Sequence, residues 1–225
     1  MPKITKNMQE SLQDAHKFKL WKNNLIENGL DIHEIEEVYT RHRHNGEVLF
    51  SLVMLDATSP EGKKIPPICF LKGTVISILI CLIDKATQEK YALLVKQRRI
   101  CTGAMVYETV AGMVDKDDDP FDVAVKETEE ETGLKIDPAT VHRLGDEPLY
   151  VSTGTSDEAM YFYYAELELS HDEIMSYHNV EQGIISEHEH IFTHVCPLAD
   201  AKKLITNTNG LLNVHMYEDV LRERA

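Results

Sequence analysis

Hydrophobic and polar positions near the start of the chain predict a helix followed by a β-hairpin. Residues 8–27 carry apolar side chains at helical spacing, which predicts an N-terminal helix that packs against the body of the protein or a partner. Residues 34–43 and 47–56 have the pattern of two strands. They flank Asn45 and Gly46, a dipeptide that favours the tight type I′ hairpin turn. This section is therefore predicted to be a small helix and hairpin unit.

From residue 74 onward the pattern changes to strand, turn, strand, loop and helix. Apolar runs at residues 75–83 and 91–96 predict two buried strands. Further elements are predicted toward the C-terminus: strands near Leu149, at 161–167 and at 191–195, and helices at 198–204 and 211–221. This order fits an α/β fold in which a mixed sheet lies between helices.

Composition predicts a cytoplasmic protein without a nucleic-acid or membrane partner. The 225 residues, 43% of them hydrophobic, suffice for one large domain or a domain with a small N-terminal addition. The net charge of -15 lacks the basic footprint that binding to a nucleic-acid backbone requires. The longest apolar run, residues 75–83, is far shorter than the roughly 20 residues of a membrane helix. The four cysteines form no Cys-x-x-Cys pair and no signal peptide is recognisable, so we expect reduced thiols.

A short acidic helix is the most informative feature of the chain. Asp119 is a suitable N-cap, Pro120 suits the first helical position, and Gly133 can adopt the left-handed conformation that ends a helix. At about 100° per residue, one stripe of this helix can pack on a sheet. That stripe consists of Phe121, Ala124, Val125, Thr128 and Thr132.

Three glutamates share a different face of the same helix. These are Glu127, Glu130 and Glu131, whereas Glu129 points elsewhere. Like charges at this spacing repel by about 0.2–0.5 kcal/mol per pair on an exposed helix. Hard divalent cations with oxygen ligands would turn that repulsion into binding. The alternative is that an acidic chain simply has an acidic, solvated helix face.

The segment from Gly112 to Leu134 resembles the Nudix box. The box pattern is Gly, five residues, Glu, seven residues, and then Arg-Glu-aliphatic-x-Glu-Glu-x-Gly-aliphatic, and six of its nine specified positions match here. The departures are Asp118 for Glu, Lys126 for Arg and Thr128 for an aliphatic residue. A lysine lacks the planar, bidentate fork with which arginine fixes a carboxylate, so the departures concern ligand orientation. By this resemblance, Glu127, Glu130 and Glu131 are the metal-binding carboxylates.

The resemblance covers most of the chain from about residue 35 and is closest to the ADP-sugar and ADP-ribose diphosphatases of the Nudix superfamily. Gln97-x-Arg99 and Glu108-x-x-Ala-Gly112 are similar to segments of that subfamily, and the loop 112–119 resembles its Asp-rich, plant-type variant. This makes Arg99 and Glu108 candidates for substrate contact. Two alternatives stay open, a plain salt bridge for Arg99 and an orienting role for Glu108.

The segment from Glu187 to Ile191 resembles the loop that supplies an additional metal ligand and the general base. Glu189 is the candidate for both roles, and Glu187 is a second candidate for the base. Two alternatives are a solvated polar loop and a zinc site made by the three nearby histidines. The spacing argues against zinc, because the position that His-Glu-x-x-His would require to be histidine is Ile191. The histidines concerned are His188, His190 and His194.

The resemblance implies a Nudix α/β/α sandwich with a mixed sheet at residues 71–225, preceded at 1–70 by a helix and hairpin section that makes a homodimer. It implies two or three Mg²⁺ or Mn²⁺ ions, held by the carbonyl of Ala111 and by Glu127, Glu130, Glu131 and Glu189. The expected reaction is hydrolysis of the diphosphate bond of a nucleoside diphosphate sugar.

Two other functions remain open at this point. One is a UDP-sugar diphosphatase, since no base-reading residue can be selected; Trp21, Tyr39 and Phe50 are each candidates for stacking on the base. The other is a non-catalytic Nudix module that binds a nucleotide sugar and regulates a partner.

Overall fold

The computed structural model describes residues 9–116, 118–183 and 190–224. The chain divides into two compact units. The first comprises Met1–Thr74, Val114–Asp117 and Leu149–Ala159, and the second comprises Val75–Met113, Asp118–Pro148 and Met160–Ala225. In the described part of the chain, none of the helices combines the length and the apolar character needed to cross a lipid bilayer.

The first unit contains one helix and a three-stranded antiparallel sheet among its described residues. Its elements are α1 (His16–Glu27), β1 (Asp31–His42), β2 (Val48–Thr58) and β3 (Ile68–Leu71), with strand order β1-β2-β3. Phe18 and Trp21 of α1 are buried in the same core as Val53 and Leu55 of β2 and Leu71 of β3. The apolar spacing of α1 thus serves packing within this unit.

The helix α1 begins later than its apolar pattern predicts. It was expected from residue 8 but starts at His16. Ahead of it, the Ser11 hydroxyl donates to Asp14 Oδ2 at 2.7 Å, and the Asp14 N–H lies 3.3 Å from the same hydroxyl. Such local bonds between side chain and backbone compete with helix formation, which explains the late start.

The β1–β2 hairpin forms where Asn45 and Gly46 predict it, but its turn differs from the predicted type I′. The Gly46 N–H donates to the Arg43 carbonyl at 3.0 Å, and Gly46 alone in the turn has a positive φ, of 91°. A type I′ turn needs positive φ at both central residues. The loop is therefore one residue longer, with Asn45 before the glycine in ordinary backbone conformation.

Asp115 and Lys116 form ion pairs with the same hairpin. Arg43 forms an ion pair with Asp115 at 2.9 Å, and Lys116 forms one with Glu47. Asp115 and Lys116, which lie between Gly112 and the acidic helix in sequence, therefore belong to the first unit.

The second unit is an α/β structure built on an eight-stranded mixed sheet among its described residues. Its strands are β4 (Thr74–Asp84), β5 (Lys90–Arg98), β6 (Met105–Glu108), β7 (Val110–Met113), β8 (Val141–Tyr150), β9 (Ala159–Leu169), β10 (Glu181–Gln182) and β11 (Ile191–Pro197). Its helices are α2 (Pro120–Thr132), α3 (His171–Ser176), α4 (Leu198–Leu204) and α5 (Thr208–Glu223). The sheet order is β10-β11-β5-β4-β9-β8, with β6 paired to β5 and β7 paired to β4.

The sheet is covered on both faces, which explains the continuous apolar run of β4. All of β4 after Thr74 is buried. Alternate residues of β4, including Leu79 and Cys81, share a core with Val214 and Tyr217 of α5. Neighbouring residues of a strand point to opposite faces. The position of Gly112 in β7, directly against Glu127, places α2 on the other face. The mixed sheet between helices expected from the sequence is confirmed.

Two short strands, β6 and β7, lie where the sequence predicts a loop. They fit where β4 and β5 diverge: β6 pairs with residues 95–98 of β5, and β7 pairs with residues 75–78 of β4. Each has four residues, too few for a strand-like alternation to be recognised.

Candidate metal and substrate site

The acidic helix α2 has the ends that its sequence predicts. The Asp119 carboxylate accepts from the Phe121 N–H at 2.8 Å, Pro120 opens the helix, and Gly133 ends it with φ of 71°. The Gly133 N–H donates to the Glu129 carbonyl at 2.8 Å. These local caps fix the positions of the four glutamates along the helix.

Glu131 is the most buried of these glutamates and contacts the backbone of β7. Glu131 is only 6% exposed, and its Oε2 accepts a hydrogen bond from the Ala111 N–H at 3.2 Å. In an antiparallel strand the N–H and carbonyl of one residue point to the same edge. The Ala111 carbonyl therefore opens toward the edge of β7 where the Glu131 carboxylate lies.

Glu127 lies directly across Gly112. A Cβ atom on Gly112 would stand 2.3 Å from the Cγ, 2.4 Å from the Cδ and 2.5 Å from the Oε1 of Glu127. Only glycine leaves room for this approach. The first glycine of the acidic segment is thus explained by the position of a carboxylate fifteen residues further along the chain.

Glu130 and Glu129 have different surroundings. Glu130 is partly buried and pairs with Lys126 at 3.2 Å, whereas Glu129 is exposed and pairs with Lys135 at 3.0 Å. Burial lowers the pKa of Lys126, but the carboxylates around it, first Glu130 and then Glu127, raise the pKa overall. This shift reports a negative potential along the face that carries Glu127 and Glu130.

The buried arc of α2 differs from the predicted apolar stripe. Phe121 and Val125 are only partly buried, whereas Glu131 is buried. The residues with buried side chains are Val123, Ala124, Thr128, Glu131 and Thr132. Thr128, which occupies the aliphatic position of the box, donates its hydroxyl to the Ala124 carbonyl at 2.7 Å and is fully buried. Its polar group is therefore satisfied within the helix.

Arg99 and Glu108, the two candidates for substrate contact, form an ion pair with each other. The Arg99 Nε donates to Glu108 Oε2 at 2.7 Å, and the Asn207 amide donates to Glu108 Oε1 at 3.0 Å. Glu108 is 7% exposed, whereas nearly half of the Arg99 side chain is exposed. Glu108 thus holds the guanidinium from one side and leaves its other donors accessible.

The residues predicted to supply the general base, Glu187 and Glu189, lie outside the described residues, as does His188. His190 is exposed and lies 3.5 Å from Glu181. The His194 ring packs 4.8 Å from the Tyr107 ring and 4.8 Å from the His178 ring. Burial, and then the neighbouring His178, lower the pKa of His194. Its surroundings are aromatic rather than those of a zinc ligand.

The donors on α2 and β7 fit a hard divalent cation in chemistry. They are carboxylates and a backbone carbonyl, the oxygen ligands that Mg²⁺ and Mn²⁺ prefer. The missing side chain at Gly112 leaves space for Glu127 on the side of α2 that faces β7. Among residues 9–116, 118–183 and 190–224, no three His, Cys, Asp or Glu side chains are grouped closely enough to hold a metal ion.

The three candidates for base stacking have different environments within the first unit. Trp21 is only 8% exposed and belongs to the core. The Phe50 ring packs against the Phe70 ring at 5.2 Å. Tyr39 on β1 is 55% exposed. Burial thus leaves Trp21 the least accessible of the three.

The NUDIX domain family profile matches residues 73–214, which is more than half of the chain. The chain belongs to the NUDIX family. Nudix hydrolase 14, chloroplastic, from Arabidopsis thaliana is 30% identical over 175 residues, which cover 72% of this chain and 54% of that protein. The chain therefore spans about half the length of this NUDIX relative.

A solved structure has a similar fold. The crystal structure of an ADP compounds hydrolase matches with a TM-score of 0.61 and 15% identity, over 87% of this chain and 96% of that one. At this identity the likeness concerns the fold. The resemblance to the Nudix superfamily is confirmed by the family profile and the Arabidopsis relative.

Asn207 is a residue of this NUDIX site that the sequence pattern did not single out. It caps α5 by accepting from the Gly210 N–H at 3.2 Å, and its amide also binds Glu108. The first role is visible in the sequence, because Asn is a preferred N-cap. The second depends on contact between residues 99 positions apart.

Proposed function

We propose that this NUDIX protein hydrolyses the diphosphate bond of nucleoside diphosphate sugars such as ADP-ribose or ADP-glucose. The products are a nucleoside monophosphate and a sugar phosphate. The observation that carries the proposal is the placement of Glu131 and Glu127 against Ala111 and Gly112. The choice of ADP-sugars is supported by the similarity of Gln97-x-Arg99 and the Asp-rich loop to that subfamily.

In this proposal the oxygen ligands come from α2, β7 and residue 189. They are the carbonyl of Ala111 and the carboxylates of Glu127, Glu130, Glu131 and Glu189. Two or three bound Mg²⁺ or Mn²⁺ ions would supply the positive charge that the diphosphate and the attacking water require. The buried Glu131 fixes the edge of β7 that presents the Ala111 carbonyl, because it accepts from the Ala111 N–H.

The remaining roles belong to proton transfer and substrate binding. Glu187 or Glu189 accepts the proton of the attacking water. Arg99 binds the substrate with the donors that Glu108 leaves accessible, since its Nε is already held by that carboxylate. Guanidinium groups suit phosphate oxygens because their donors are planar and permanently charged.

We further propose that the protein is a cytoplasmic homodimer assembled through residues 1–70. The support lies in β1, a twelve-residue edge strand with mostly exposed side chains. Val38 is 49% and Tyr39 55% exposed on it. Long exposed edge strands are normally covered, because they present unpaired backbone groups.

A matched pair of variants tests the proposed reaction. Glu131→Gln preserves the size of the buried side chain and an oxygen that can accept from Ala111, but it removes the charge. It should lower kcat for ADP-ribose by about 10²-fold or more while the protein stays folded. Glu129→Gln changes an exposed glutamate of the same helix and should leave kcat within about twofold.

Equal losses in the two variants would contradict the assignment of Glu131. Binding of ADP-ribose without turnover at saturating metal would instead favour a regulatory NUDIX module. In that case Lys126→Arg would be the first substitution to test for a gain of turnover. Lys126 pairs with Glu130 and stands where the box pattern has arginine.

A further inference from the structure

The N-cap of α5 and two residues of its first turns lie against the strands around the β6–β7 junction. Asn207, Gly210 and Asn213 are spaced three apart. The Asn207 amide binds Glu108, the last residue of β6. A Cβ on Gly210 would lie 3.5 Å from the backbone nitrogen of Thr109 and closer still to Asn207 and Ile205. A Cβ here would therefore be in ordinary contact with Thr109 and would crowd the N-cap Asn207 and Ile205.

Asn213 completes a buried polar cluster with Ser77 and Thr109. The Asn213 amide donates to Ser77 Oγ at 2.9 Å, and the Ser77 and Thr109 hydroxyls are 2.8 Å apart. The three residues are 0%, 0% and 2% exposed, respectively. Within the described residues, Asn213 Oδ1 has no hydrogen-bond partner although it is buried.

The surroundings of this cluster are apolar. Val75 and Leu79 flank Ser77 on the same face of β4, and Val214 and Tyr217 flank Asn213 on α5. A buried polar group without a partner costs about 1–3 kcal/mol. An apolar side chain at position 213 would fill the same interface without that cost. The polar cluster is therefore not explained by packing alone.

Thr109 occupies the point where the chain changes its pairing partner. Before it, β6 pairs with β5, and after it, β7 pairs with β4. Ser77, the residue bonded to Thr109, is also the register partner of Ala111. The cluster therefore contacts the β7 segment at two points on the α5 face of the sheet. Thr109 lies two residues before Ala111, and Ser77 lies opposite Ala111 in the neighbouring strand.

We infer that Asn213 is a positioning residue for the β7 edge that carries Ala111 and Gly112. It acts through Ser77 and Thr109 and sets the backbone against which Glu131 and Glu127 are placed. This inference deepens the proposed function and rests on it for its catalytic consequence. Asn213 itself touches neither substrate nor the proposed ligands.

Two variants on adjacent residues of α5 separate positioning from stability. Asn213→Leu removes the amide and the unpartnered carbonyl, so the melting temperature should stay equal or rise. Its kcat should fall about 10- to 100-fold at saturating metal, because small misplacements of reacting groups are costly. Val214→Ala leaves the polar cluster intact but creates a cavity at a fully buried position. It should lower the melting temperature and retain kcat.

Hydrogen exchange of the Ala111 amide supplies a readout that needs no metal or substrate. Exchange should accelerate in Asn213→Leu and stay slow in Val214→Ala under conditions where both are folded. If Asn213→Leu does not fold, Ser77→Ala removes the same hydrogen bond with a smaller change in volume. It should also give faster exchange at Ala111 and a lower kcat, with a lower melting temperature because the buried Asn213 amide loses its partner.

Unchanged exchange in Asn213→Leu overturns the inference whatever the turnover assay gives. Faster exchange with unchanged kcat overturns the catalytic link. Absence of turnover in the unsubstituted protein contradicts the proposed function alone, since the exchange measurement is independent of it.

Discussion

Substituting Gly112 with alanine tests the close approach between β7 and α2. The new Cβ would lie 2.3–2.5 Å from three atoms of the Glu127 side chain. Ordinary contacts between carbon atoms are about 3.5–4.0 Å, so the side chain has to move by more than about 1 Å. Gly112 has no positive φ, and alanine can therefore adopt its backbone conformation without strain. The contact with Glu127 is the source of the effect.

The expected magnitudes follow from this overlap. Forced overpacking costs about 1–3 kcal/mol, and replacing glycine within a strand returns about 0.5–1 kcal/mol, which leaves a net loss of about 0–2.5 kcal/mol. Metal–oxygen distances tolerate only about 0.2 Å of change. A displacement above 1 Å would therefore prevent Glu127 from acting as the proposed metal ligand, and kcat should fall about 10²-fold.

Urea unfolding, Mn²⁺ titration and turnover of ADP-ribose measure these effects. Gly154→Ala is the matched control, because nothing lies within 4 Å of its added Cβ and its φ is ordinary. In a Glu127→Ala background the overlap disappears, so Gly112→Ala should no longer destabilise and the two changes should be non-additive. Stability, metal affinity and kcat that match those of Gly154→Ala would refute the reasoning.

Three further predictions concern thiols, acid stability and assembly. Cys101 is exposed, whereas burial raises the pKa of the other three thiols, to about 12 for Cys69 and about 11 for Cys81 and Cys196. One thiol should therefore react quickly with dithionitrobenzoate at pH 8; a second fast thiol would contradict this. Burial raises the pKa of Glu166, but bonds from Tyr217 and Arg224 outweigh it and the pKa is lowered. Its stabilisation is present above the ordinary carboxylate range and lost as pH falls through the lowered value, so Glu166→Gln should be less stable in urea at pH 7 and converge with the unsubstituted protein in acid. Sedimentation should give twice the mass of the chain, and Val38→Lys should shift it toward a monomer; a monomeric unsubstituted protein would rule out the dimer.

The elements predicted correctly are those with local signals. The ends of α2 follow from Asp119, Pro120 and Gly133, each of which acts on its own backbone or on that of a residue two positions away. β4 follows from a long run of apolar residues buried on both faces. Such features are determined by residues close together in the chain, so they can be predicted from the sequence.

The features that were missed depend on distant partners. β6 and β7 are strands only because β4 and β5 diverge to receive them. The burial of Glu131 follows from its bond to a backbone group twenty residues away, and no helical periodicity indicates that. Similarly, the sequence offers Arg99 and Glu108 as separate candidates, whereas the structure makes them one ion pair.

The most direct test of the proposed activity is product analysis with three nucleotide sugars. The purified protein is incubated with ADP-ribose, ADP-glucose and UDP-glucose, separately in Mg²⁺ and in Mn²⁺, and nucleotides are resolved by chromatography with Glu131→Gln as control. We expect AMP from an ADP-sugar with the unsubstituted protein and none with the variant. UMP alone would keep the reaction and overturn the choice of base. No product from any of the three, with folded protein that still binds ligand, would contradict the proposed hydrolysis.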